Sequence, residues 1–143
     1  QYAARISGPL LDRIDLAIEV PAVTAADLIL PPPQEGSAEV AARVRRAREI
    51  AAHRYSARGL PASTTNATCP APHLEEVAKP DADGLRLLRE AADAMRLSAR
   101  GFHRILRVAR TLADLDGEPN LRRLHLAEAI SYRSHLDRRP VVA

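Results

Sequence analysis

The stretch L-S-A-R-G-F-H-R-I-L-R-V-A-R-T-L-A-D, Leu97 to Asp114, decides how the rest of the chain is read. Its apolar residues Ile105, Val108, Ala109 and Leu112 recur at helical spacing, and Ser98 is a good N-cap, so a helix is predicted from Ala99 to Leu115. Arg100 and Gly101 then fall in the first turn. A helix N-terminus carries partial positive charge and four unpaired N–H groups, so a cation is locally unfavourable there and glycine is a poor helix former. Both choices suit a docked anion such as a phosphate.

At about 100° per residue, Arg96, Arg100, Arg104, Arg107 and Arg110 share an arc of about 120° on this helix. Two readings of that stripe stay open. It is a solvated face whose arginine stems cover apolar surface, or it is a phosphate-binding face, which would make the chain a free-standing α-helical nucleic-acid-binding module. Lys79 is the only lysine among 21 basic residues, so nearly every cation is a guanidinium, a bias that suits bidentate recognition of phosphate or carboxylate and that a GC-rich genome produces equally. The net charge of +3 permits such contacts without requiring them.

Working outward, the chain reads as mainly α. Its 46% hydrophobic content rests on Ala, Leu, Val and Ile, with 3% aromatics and no Trp. Ser37 is predicted to cap a helix running to about Arg58, with Val40, Val44, Ala47, Ile50 and Ala51 on one face. Gly59-Leu60-Pro61 ends it. A short helix is expected near Pro72 to Ala78, another after an Asp81 cap with Leu85, Leu88, Ala92 and Met95 inward, and a last one from Leu121 to about His135 after an Asn120 cap. Before the helices, Pro31-Pro32-Pro33 stiffens a connector.

Near the start, Asp15-Leu16-Ala17-Ile18-Glu19-Val20 alternates like a strand stopped by Pro21. One strand cannot satisfy its own backbone, and nothing else in the chain reads as its partner, so its sheet is expected upstream. The chain opens on Gln1-Tyr2 without a Met and is read as a piece of a longer protein. Arg13 stands just ahead of the strand between Asp12 and Asp15. By spacing alone it is a surface ion-pair residue.

Several chemistries find no support. No G-x-x-x-x-G-K-[ST] loop surrounds Lys79, so no normal nucleotide site is built by this chain unaided. His53, His73, His103, His125 and His135 lack the spacings of a metal centre, and no metal is expected. Cys69 is alone, which excludes an internal disulfide and fits a reducing cytoplasm. No apolar run is long enough to span a membrane.

Two strings in order, R-I-S-G-P-L-L-D-R-I-D-L and L-S-A-R-G-F-H-R-I-L-R-V-A-R-T-L-A-D-L, together with Asn66-Ala67 and H-L-A-E-A-I-S-Y-R at His125 to Arg133, resemble magnesium-chelatase-like AAA+ ATPases of the ComM/YifB type. The resemblance covers nearly the whole chain. It implies the C-terminal part of a ring-forming ATPase: residues 1–22 ending the α/β core with one strand, 23–36 a proline-rich connector, and 37–143 a helical lid. It further implies that Arg13 is an arginine finger acting on the neighbouring subunit's site, that Asp12 steadies it, and that Arg100 is the sensor-2 arginine. The implied cofactors are ATP and Mg2+ in the full-length protein, with none bound to this piece, which lacks Walker A and B and is expected to be inactive alone. The implied partners are the core of the same chain, neighbouring subunits of a homo-hexamer, and DNA, with a cytoplasmic location and no membrane.

Overall fold

The computed structural model describes residues 13–25, 27–31 and 35–137, with side chains as far as Arg133. Among them, five helices come after a single turn of 3-10 helix at Asp27–Ile29: α1 (Ser37–Ser56), α2 (Ala71–Val77), α3 (Ala82–Ala94), α4 (Ala99–Leu115) and α5 (Arg123–Asp137). Helix α4 is central. It packs against α1, α2 and α5, while α3 leans on α5. Tyr55, Leu74, Leu88, Ile105, Leu106, Ala109, Leu121 and Leu126 fill the space between them.

Local chemistry sets most helix ends. Ser98 Oγ accepts from Gly101 N at 3.0 Å and Asp81 Oδ1 from Gly84 N at 2.7 Å, so both predicted caps form. Gly84 also lies where α3 meets α5, because a Cβ there would come within 2.7 Å of Leu126 Cδ1. The cap of α1 lies one position before the expected one: Gly36 is the N-cap, with its N–H donating to Glu39 Oε2 at 3.0 Å, and Ser37 is already helical. The last helix begins at Arg123 rather than Leu121. Leu121 is buried in a parallel bridge with Pro80, and His125 Nδ1 accepts from Arg122 N at 3.0 Å, replacing the expected Asn120 cap.

The C-terminal end of α4 closes in a Schellman turn, with Gly117 at φ 71°, Gly117 N bonded to Asp114 O, and Glu118 N bonded to Ala113 O. Helix α3 ends in the same way, but the residue in the left-handed conformation is Arg96, at φ 48°. Leu97 N reaches back to Ala92 O at 3.0 Å. A side chain with a Cβ costs about 1–2 kcal/mol in that region, which glycine avoids at some loss of chain entropy. Arg96→Gly is therefore expected to stabilise the chain by about 0.5–1 kcal/mol, raising the thermal midpoint by a few degrees. An unchanged or lower midpoint would contradict the assignment.

The predicted strand is not formed. Among the described residues there is no strand, and residues 14–20 run without regular secondary structure; Ala17 N donates to Tyr132 O at 3.2 Å, a helix carbonyl rather than a neighbouring strand. The physical reason is the missing ladder partner. Leu16, Ile18 and Val20 stay exposed, as do Leu28 and Ile29. The expected apolar face of α1 is also only half used: Ala47, Ala51 and Tyr55 are buried, whereas Val40 and Val44 are exposed. Among the described residues no helix is long and apolar enough to cross a membrane.

Candidate functional site

Arg100 lies on the first turn of α4, exposed, and has no hydrogen-bond or ion-pair partner among the described residues. The other arginines of the expected stripe are placed differently. Arg96 belongs to the turn that ends α3 and not to α4. Arg104 pairs with Asp15, and Arg107 Nη2 donates to Cys69 O at 3.2 Å. Arg110 is completely buried. The continuous basic face is thereby corrected: α4 packs against three helices, its other three arginines are drawn into intramolecular bonds, and of its four arginines Arg100 alone is exposed.

Arg13 is exposed in a turn at the start of the described residues, and Asp12 lies outside them. The backbone just after Arg13 is held from the helical side. Arg133 Nη1 donates to Ile14 O at 3.3 Å, and a Cβ placed on Gly101 would lie 3.5 Å from Arg133 Nη2. The neighbours of Arg13 and Arg100 therefore touch the same guanidinium. That Cβ distance is ordinary van der Waals contact, so space alone does not demand glycine at 101.

A second constellation escaped the sequence reading. Asp114, with its side chain 1% exposed, receives a bidentate fork from Arg54, a bond from Arg110 Nε at 3.2 Å and one from Asn66 Nδ2 at 2.9 Å. Asn66 Oδ1 accepts from Tyr55 OH at 2.7 Å. Arg110 also donates to Pro119 O at 2.9 Å and Glu118 O at 2.6 Å, capturing carbonyls just past the Schellman turn. Burial disfavours the charge of Arg54, but Asp114 outweighs it and its pKa lies above the ordinary value. For Arg110 burial wins against Asp114 and the pKa is lowered. Burial, reinforced by Cys69, pushes the Tyr55 phenol far up, so it remains a neutral donor.

The network is structural in character. The i, i+4 spacing of Arg110 and Asp114 was the available signal, whereas Arg54 and Asn66 come from distant sequence. A groove of about 690 Å³ between α1, residues 62–67 and the end of α4 has Asn66 and Asp114 in its lining. Among the described residues, no group of three or more His, Cys, Asp or Glu is arranged to hold a metal ion.

Comparison with known proteins gives the chain a family. Residues 34–133 match the family described as magnesium chelatase, subunit ChlI C-terminal, and residues 1–28 match magnesium chelatase, subunit ChlI. The chain is 39% identical over 135 residues to the competence protein ComM of Haemophilus influenzae, covering 94% of this chain and 25% of that protein. It is 36% identical over 143 residues to the uncharacterized protein YifB of Escherichia coli, with 94% and 25% covered. A 38% identical relative, the uncharacterized protein Mb2921c of Mycobacterium bovis, is covered over 26% of its length. The chain thus spans about a quarter of the length of these relatives. With a helical bundle across the matched region and the family match over residues 34–133, the chain belongs to the magnesium chelatase ChlI C-terminal family.

Proposed function

We propose that this chain is the C-terminal part of a ring-forming AAA+ ATPase: residues 1–22 close the ATPase core, 23–36 connect, and 37–143 form the lid. Arg100 acts as the sensor-2 arginine on the nucleotide of its own subunit. Arg13 acts as the arginine finger on the neighbour's nucleotide, with Asp12 steadying it. The exposed apolar side chains of Leu16, Ile18 and Val20 support a surface that the rest of the core covers. The whole protein is read as a DNA-acting motor working as a homo-hexamer, as the family resemblance implies; one relative is named a competence protein.

The observation that carries the proposal is the contrast along α4. Arg104, Arg107 and Arg110 all have protein partners, while Arg100, at the end of the helix where a cation is least favoured, has none among the described residues. A guanidinium held out beside first-turn N–H groups fits phosphate oxygens. Mg2+ would offset charge on the phosphates of bound ATP, which would supply the phosphoryl group to be transferred. The chain's own residues neutralise charge on its oxygens: Arg100 from the lid in cis, Arg13 across the interface.

Arg100→Ala in the full-length protein is expected to lower ATP turnover at least about tenfold, since one charge-stabilising donor at a transferring phosphoryl group is commonly worth that much or more. Steady-state turnover at saturating ATP measures it. Turnover within twofold of the unmodified protein would remove Arg100 from the site.

A further inference from the structure

The segment after Arg13 is tied to the lid by three contacts within four residues. Ile14 O accepts from Arg133 Nη1 at 3.3 Å, the Asp15 carboxylate pairs with Arg104, and Ala17 N donates to Tyr132 O at 3.2 Å. Arg104 is one helical turn beyond Arg100 on α4, and Arg133 lies against Gly101 in the same first turn. Their partners are 89 and 119 residues away in sequence, so this is a tertiary closure rather than a local turn. Leu16, Ile18 and Val20 in the same segment stay exposed, Leu16 and Ile18 beside a groove lined by Val108, Leu112 and Tyr132.

We propose that Asp15, Arg104 and Arg133 form a clasp that fixes the backbone beside Arg13 to the helix start that carries Arg100, making them positioning residues that couple the two arginines. The inference rests on the roles given above to Arg13 and Arg100. An arginine that must reach a phosphoryl group on another subunit loses rate if its backbone wanders, because orientation then has to be fixed in each turnover. The clasp removes that freedom up to the Cα next to the finger, leaving only the side chain of Arg13 to order. It also sets a route of coupling. When Arg100 shifts with the phosphates of its own site, α4 moves, and Arg104 carries Asp15 and therefore Arg13 with it, so occupancy of one site changes the aim of the finger in the next.

Positioning without nucleotide contact separates kcat from KM. In the full-length protein, Asp15→Ala and Arg104→Ala are expected to lower kcat about tenfold while leaving the KM for ATP within about twofold. In the same proteins without nucleotide, hydrogen exchange at the Ala17 amide is expected to quicken about tenfold. Asp15 is half exposed, so its variant keeps the fold. The double exchange Asp15→Arg with Arg104→Asp restores the opposite charges and is expected to recover both kcat and amide protection, which a general packing role would not predict.

Arg13→Ala and Arg100→Ala serve as companions. If those two lose turnover while the Asp15 and Arg104 variants keep kcat and Ala17 protection within twofold, the clasp is overturned and the roles of Arg13 and Arg100 stand. If Arg13→Ala and Arg100→Ala themselves leave turnover intact, the roles fail and the clasp fails with them. A rise in KM at constant kcat, or no recovery in the charge exchange, likewise overturns it.

Discussion

Replacing Arg13 by Ala is expected to lower ATP turnover by the full-length protein about a thousandfold while ATP affinity changes little, because an arginine finger contributes about 10³–10⁵ to rate. Arg13 is exposed and has no side-chain hydrogen bond or ion pair among the described residues, so the variant is expected to keep the structure. The charge it supplies matters only as negative charge redistributes on the transferring phosphoryl group, which places the loss in kcat. A finger that serves a neighbour, as proposed for Arg13, gives mixing a distinctive outcome. Subunits with Arg13→Ala, combined with subunits whose own phosphate-loop lysine has been replaced, form some interfaces in which both groups are intact, and turnover partly returns. A finger acting within its own subunit gives no recovery, and a fall of less than about tenfold for Arg13→Ala would end the assignment.

The largest effect on stability is expected at Asp114. Changing it to Asn leaves a buried Arg110 and a part-buried Arg54, both charged, with no carboxylate between them, and breaking a buried pair from one side costs about 3–5 kcal/mol. The position sharpens the effect. Asp114 sits in the last turn of α4, where the helix dipole disfavours an anion, so its net contribution depends on the two guanidinium groups that surround it. A typical domain is stable by about 5–15 kcal/mol, so the variant is left marginal. Urea unfolding followed by circular dichroism measures the loss, with a lower midpoint at similar slope. A companion experiment separates charge from packing: replacing Arg54, Arg110 and Asp114 together by apolar residues of similar volume is expected to cost less than Asp114→Asn alone, because no buried charge is stranded. A loss below about 1 kcal/mol for Asp114→Asn would show that water reaches these groups.

The sequence foretold the features that depend on nearest neighbours. Ser98 and Asp81 cap their helices as predicted because the accepting oxygen and the donating N–H are three residues apart. The family resemblance came from order and spacing along the chain and is matched by residues 1–28 and 34–133. The features that were not legible depend on distant partners. Arg110 has the spacing of a solvated residue, yet Val77, Glu118 and Pro119 supply carbonyls that draw it inside. Leu121 looks like the start of a helix, but burial against Pro80 holds it in a bridge. Residues 15–20 alternate like a strand and still form none, because alternation specifies a face whereas pairing needs a second backbone. Asp15 stands two residues from Arg13, and its bond to Arg104 cannot be read from that spacing.

Helix α4 has unlike ends: at one, Asp114 is gripped by two arginines and an asparagine, while at the other Arg100 stands clear. Such a rod is a lever with its fulcrum at the polar grip. At about 1.5 Å per residue the arm from Asp114 to Arg100 is about 21 Å, so a tilt of about 10° sweeps the arginine through roughly 3.5 Å. That sweep exceeds the length of a hydrogen bond, so small rocking of the rod at its gripped end is enough to make or break the phosphate contact proposed for Arg100.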